Sequence, residues 1–198
     1  MRIKSLFWVF LLVFFCYGTS FAQDPVAKQY FDEGQMHLEA GNYNQAIESF
    51  RMAVSLEDDY TDAYIEMGAA YKEKGDFDKA IIYLEKAISI VGNVFEPAYL
   101  SDAFTNLGVI YLKKGNFDRA FKYLKQAVFI NPSSSLTYNN LGLFYLEKGS
   151  FDEAIDNFYK AISLNPDPSN EANRNLAIAY EEKKNALEGK PAQAHLNK

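Results

Sequence analysis

The stretch LGVIYLKKGNFDRAFKYLKQAVFINP, Leu107 to Pro132, is followed 34 residues later by LGLFYLEKGSFDEAIDNFYKAISLNP, Leu141 to Pro166. A chain that repeats at so short a period cannot bury the apolar face of one copy inside that copy, so the copies must stack. The register extends in both directions and divides the chain into units at 27–60, 61–94, 101–134 and 135–168, with a partial unit at 170–188.

Each unit carries two apolar stripes at helical spacing. In the third they are Phe104, Leu107, Gly108 and Tyr111, then Phe117, Ala120, Leu124 and Ala127. The fourth gives Tyr138, Leu141, Gly142 and Tyr145, then Phe151, Ala154, Phe158 and Ala161. The second unit follows with Gly68, Ala80 and Leu84, and the first, more loosely, with Gly34, His37, Ala46 and Phe50. A glycine inside a helix costs about 1 kcal/mol relative to alanine. Four at one register therefore predict a place where two helices approach too closely for a side chain. Between the stripes, Gly41, Gly75, Gly115 and Gly149 fit left-handed ends of the first helices. Asn42, Asp76, Asn116 and Ser150 fit N-caps of the second, and Ser150 with Glu153 has the form of a capping box. Pro132 and Pro166 stop the second helices of the last two full units.

A 34-residue unit of two helices, with small residues at unit positions 8, 20 and 27 and large ones at 4, 11 and 24, resembles the tetratricopeptide repeat. The resemblance spans 27–188 and implies an all-α, right-handed superhelical solenoid of antiparallel helix pairs. It implies about four repeats and a C-terminal capping helix, where Leu176, Ala177 and Tyr180 repeat the first-helix pattern before the polar run Glu181 to Lys184. Phe95 to Leu100 is extra between units two and three and predicts a longer turn or a lengthened helix end. Residues 189–198 read as a flexible tail.

The chain opens MRIKSLFWVFLLVFFCYGTSFAQDP: two basic residues, an apolar run from Leu6 to Phe15, and Ser20 and Ala22 placed for cleavage before Gln23. This is the pattern of a signal peptide over 1–22, which predicts an exported protein, periplasmic or secreted. The run is shorter than the roughly 20 apolar residues of a membrane span. Two other readings stand beside it: an uncleaved segment that tethers the protein to the membrane, and lipidation at Cys16, to which Phe14 and Phe15 are a poor match. Cleavage would remove the single Cys, the single Trp and two positive charges, taking the formal charge from −6 to −8.

An acidic balance argues against nucleic acid as a partner. One Cys and two His cannot make a structural zinc site. There is no GxSxG, HExxH or phosphate loop. His37 stands where the other units have Tyr71, Tyr111 and Tyr145, which predicts a packed core residue; His195 falls in the tail. Glu57, Asp58, Asp59 and Asp62 lack the spacing of a calcium loop and read as charge at the start of the next helix. No enzyme, cofactor or metal is expected.

What remains is surface. The resemblance implies a concave groove lined by the first helices. In this sequence it carries an apolar strip of Val109, Leu112, Leu143 and Leu146 beside Asn139 and Asn140. Either the strip is exposed to a partner, or the superhelix and its terminal helix cover part of it. The pattern of the carboxylate-clamp subfamily is missing, with Phe31, Gln35, Thr105 and Val109 at clamp positions. The expected function is a non-catalytic scaffold or adaptor in the cell envelope, taking a protein or peptide partner through Leu112, Asn139, Asn140, Leu143 and Leu146. The alternatives are a membrane-tethered assembly subunit, if the first segment is kept, and a self-assembling module, stacked end to end.

Overall fold

A computed structural model describes residues 24–91 and 98–190. Among the described residues there are nine α-helices and no strand: α1 (Pro25–Glu39), α2 (Tyr43–Leu56), α3 (Thr61–Glu73), α4 (Phe77–Val91), α5 (Ala98–Lys113), α6 (Phe117–Ile130), α7 (Ser135–Glu147), α8 (Phe151–Leu164) and α9 (Glu171–Leu187). The signal-like segment, Gly92 to Pro97 and His195 lie outside the described residues. The extra residues between units two and three enter α5 from Ala98 onward, so that it runs to 16 residues where α3 and α7 have 13.

Each first helix packs chiefly on its own second helix, and the four helical glycines show why. A Cβ built on Gly108 would lie 2.6 Å from Leu124 Cγ, and one on Gly34 would lie 2.5 Å from Phe50 Cε1. The inter-helix turns follow the glycines as expected. Gly115 has φ 71°, a conformation that strains any residue with a Cβ, and Asn116 then accepts a hydrogen bond from the Arg119 amide at 3.1 Å. Asp76 caps α4 through the Lys79 amide at 3.3 Å. Asn42 and Ser150 make no side-chain cap, so the capping box expected at Ser150 is not formed. The start of α8 is instead favoured by Asp152 and Glu153 in its first turn. Asp152 is also held by Lys183 of α9. Before the prolines, Asn131 and Asn165 leave the helical region (ψ 87° and 94°), which ends α6 and α8.

Each inter-helix space holds one of two combinations. Units one and four place Phe50 and Phe158 against the glycine, each preceded by a small polar residue, Ser49 and Asn157. Units two and three place Leu84 and Leu124 there, preceded by Tyr83 and Tyr123. Those rings slot between first-helix aromatics, with Tyr83 5.3 Å from Tyr71 and Tyr123 5.5 Å from Tyr111, nearly parallel. Aromatic bulk has moved by one residue while the space stays filled.

Units pack through a second register. Ala63, Met67 and Ala70 of α3, then Ala103, Leu107 and Ile110 of α5, are buried against the unit before. Thr137, Leu141 and Phe144 of α7 and Ala172, Leu176 and Ala179 of α9 continue the series. In α1 the same register reads Gln29, Glu33 and Met36, an outer face with two polar residues where later helices have apolar ones, on which Gln29 and Met36 are exposed. His37 belongs to this edge. It is 31% exposed, with Nε2 3.7 Å from Glu33 Oε1, so it is not the core residue expected from its register. The tyrosines of the equivalent positions are covered by Tyr83, Tyr123 and Phe121, for which unit one has no counterpart ring over His37.

Candidate partner-binding groove

Among the described residues, successive first helices touch one another and successive second helices do not. The stack therefore curves with α3, α5, α7 and α9 on its inner side. There they enclose a groove of about 680 Å³. Lys72 comes from α3, Thr105, Val109 and Lys113 from α5, Leu143 from α7, and Asn175, Ile178 and Glu181 from α9.

Of the five residues expected at a partner site, Leu112, Asn140, Leu143 and Leu146 line this groove. Their depth differs from the exposed strip. Leu112 is only 2% exposed and Leu146 4%, so they form its floor. Leu146 is covered because α9 brings Ala179 over it while α8 supplies Ala154 and Phe158 from beneath. Leu143 and Val109 remain half-buried, as does Ile178 of α9, and these three are the apolar groups within a partner's reach. Asn139 does not face the groove. It is 4% exposed, its Oδ1 accepts a 2.9 Å hydrogen bond from Asn175 Nδ2, and the pair ties α7 to α9. Its carbonyl oxygen is engaged inside the protein.

Further polar groups of the inner layer are also satisfied internally. Thr105 and Thr137 hydroxyls meet at 2.9 Å between α5 and α7, and Lys72 Nζ donates to Asn106 Oδ1 at 2.7 Å. Lys72 also reaches Glu73 at 3.0 Å. Sequence reasoning passed over Asn106, although its place beside Val109 and Thr105 on one face of α5 was the available signal. On the same layer, towards the helix N-termini, Asp62, Glu66 and Asp102 crowd together. Burial raises all three carboxyls from their ordinary values; Asp102 adds to the shift at Asp62 and Glu66, and Asp62 to that at Glu66, against a weaker opposing pull from Lys72. Asp62 stands in the first turn of α3, as expected of the acidic run before it, but the N-cap position is Tyr60, which gives no side-chain cap.

No group of three or more His, Cys, Asp or Glu among the described residues could hold a metal ion, and no described helix is long and apolar enough to cross a membrane. The tetratricopeptide-repeat family models match residues 34–75, 59–130 and 135–168. A crystal structure of MamA is 30% identical, covering 72% of this chain and 81% of that one, with a TM-score of 0.58. The chain belongs to the tetratricopeptide-repeat family. Its fold is shared by YrrB, described as a tetratricopeptide-repeat protein with an unusual peptide-binding site, at 22% identity and a TM-score of 0.55 over 83% of this chain and 86% of that one. The human nuclear autoantigenic sperm protein matches 83 residues at 28% identity, 38% of this chain. The chain spans about a tenth of the length of the curated relatives it matches, 10% and 12%. Tetratricopeptide-repeat proteins are in general scaffolds for protein interaction.

Proposed function

We propose that this tetratricopeptide-repeat protein is a non-catalytic adaptor, and that the groove of α3, α5, α7 and α9 holds an extended or helical segment of a partner protein. The observation that carries the reading is the trio Val109, Leu143 and Ile178, half-buried apolar groups from three helices around one cavity. The floor beneath them is closed by Leu112 and Leu146, so the trio is held rigidly for contact. The N-terminal signal pattern supports a site of action in the cell envelope, either free after cleavage or tethered if the segment is kept. Trp8 separates these outcomes, because it is the chain's single tryptophan and cleavage removes it together with its fluorescence.

The test is a crosslinking capture from the native envelope fraction with the tagged chain and with Leu143→Asp/Ile178→Asp. Leu146 is left alone because an aspartate at a 4% exposed site would disrupt the core. A partner captured by the natural chain and lost by a variant with unchanged helical circular dichroism supports the groove. A partner retained by the variant removes it.

A further inference from the structure

The charges around the groove say what kind of segment it would take. α9 contributes three carboxylates to the lining, Glu171, Glu181 and Glu182. Glu171 and Glu181 make no ion pair with any described residue: Lys183 turns to Asp152 and Lys184 to Glu188, while Arg174, exposed one turn along from Glu171, is not among the residues that line the groove. Towards the other end of the same inner layer stand the crowded carboxyls of Asp62, Glu66 and Asp102, which repel one another and are short of compensating cations. Against these, the groove offers two lysines. Lys72 is already paired with Glu73 and donates to Asn106, which leaves Lys113 as the cation of the lining without an ion pair among the described residues. The lining thus holds four carboxylates against two lysines, and a concave wall with such an excess of one sign focuses its field on whatever enters.

Resting on the groove reading above, we propose that the partner segment is basic: a stretch of polypeptide that sets apolar residues on Val109, Leu143 and Ile178 and directs lysine or arginine side chains to Glu171 and Glu181. The apolar trio supplies contact area. The carboxylates select sign and orient the segment, with its cationic end on α9. An acidic segment would meet the four carboxylates of the lining with Lys113 and the exposed Arg174 of α9 to offset them.

The probes are three synthetic 12-residue peptides of one apolar pattern, bearing four lysines, four glutamines or four glutamates at the same positions, titrated by fluorescence anisotropy at low and high salt. The lysine peptide is expected to bind about tenfold more tightly than the glutamine peptide at low salt, the size of two or three screened ion pairs. The advantage should shrink at about 1 M salt, where the Debye length is about 3 Å. Glu171→Gln/Glu181→Gln should abolish that advantage and leave the glutamine peptide unaffected. Glu85→Gln/Asp156→Asn, which removes two exposed carboxylates from the second helices, should leave the advantage in place; an equal loss there would mean diffuse attraction to an acidic protein and overturn the proposal. Equal binding of lysine and glutamine peptides, both weakened by Leu143→Ser, would overturn the basic preference and keep the groove. Binding of the lysine and glutamine peptides untouched by Leu143→Ser, or no binding by any peptide, would count against the groove itself.

Discussion

Gly142→Ala would normally help a helix, by about 1 kcal/mol. Here the new Cβ would lie 2.4 Å from Phe158 Cε1 and 2.5 Å from Cδ1. Carbon atoms in ordinary contact sit about 3.5–4.0 Å apart, so the ring must retreat by more than about 1 Å. It has nowhere to go: Phe158 is fully buried, packed with Leu146, Ala154, Ile155 and Ala179. A rigid ring in a filled site puts the cost near the upper end of overpacking, about 3 kcal/mol. The net is a loss of about 2 kcal/mol, or roughly 4–8 °C in Tm for a chain of this size. The decisive comparison uses Phe158→Ala, which alone costs about 3–5 kcal/mol. In that background the obstruction is gone, and Gly142→Ala should become stabilising by up to about 1 kcal/mol. Urea unfolding followed by circular dichroism at 222 nm reads all four corners of the cycle. If Gly142→Ala has the same sign in both backgrounds, close approach is not the reason for the glycine.

Three other outcomes are expected. Asn175→Leu, which strips the buried Asn139 amide of its donor, should cost about 1–3 kcal/mol, while Asn139→Leu/Asn175→Leu should cost less than either single change; urea midpoints decide. Asp102→Asn should raise Tm at neutral pH: carboxyls whose folded pKa is raised favour the fold when protonated and oppose it once pH rises through that pKa, so the variant's advantage should fade as pH drops into the ordinary carboxylate range, and a lower Tm at pH 7 would contradict this. Gln29→Ala/Glu33→Leu, which gives α1 the alanine and leucine of α5, should cause concentration-dependent association beyond that of the natural chain in sedimentation velocity.

Much of the fold was legible because glycines, caps and stripes fall at one interval, and each coincidence constrains the same helix pair. Gly108 implied a close partner helix, and Leu124 is there. What was not legible depends on neighbours outside the unit. His37 occupies a core register, but the ring that would cover it is absent from unit one, so it stays partly in solvent. Leu112 and Leu146 read as groove surface on their own helices, and adjacent units sink them to its floor. Asn139 looked like a binding amide because its hydrogen-bond partner, Asn175, is 36 residues away in a unit that is incomplete in sequence. The exchange of Phe158 for the Tyr123–Leu124 pair stands in the sequence as Phe or Leu at one stripe position, and its reason lies in the stacking of Tyr123 on Tyr111, which the stripe does not contain.

The polar face of α1 acts, in the language of polymers, as a chain stopper. An end-to-end filament grows only if the head of each monomer accepts the tail of the next. With Gln29 and Glu33 at the head, where α3, α5, α7 and α9 present Ala or Thr with Met or Leu, the described residues lack that acceptor. Among the described residues α1 therefore offers a docking α9 a different face from the one that α3, α5 and α7 offer to the unit before them, and head-to-tail growth would have to proceed without the register that builds the solenoid.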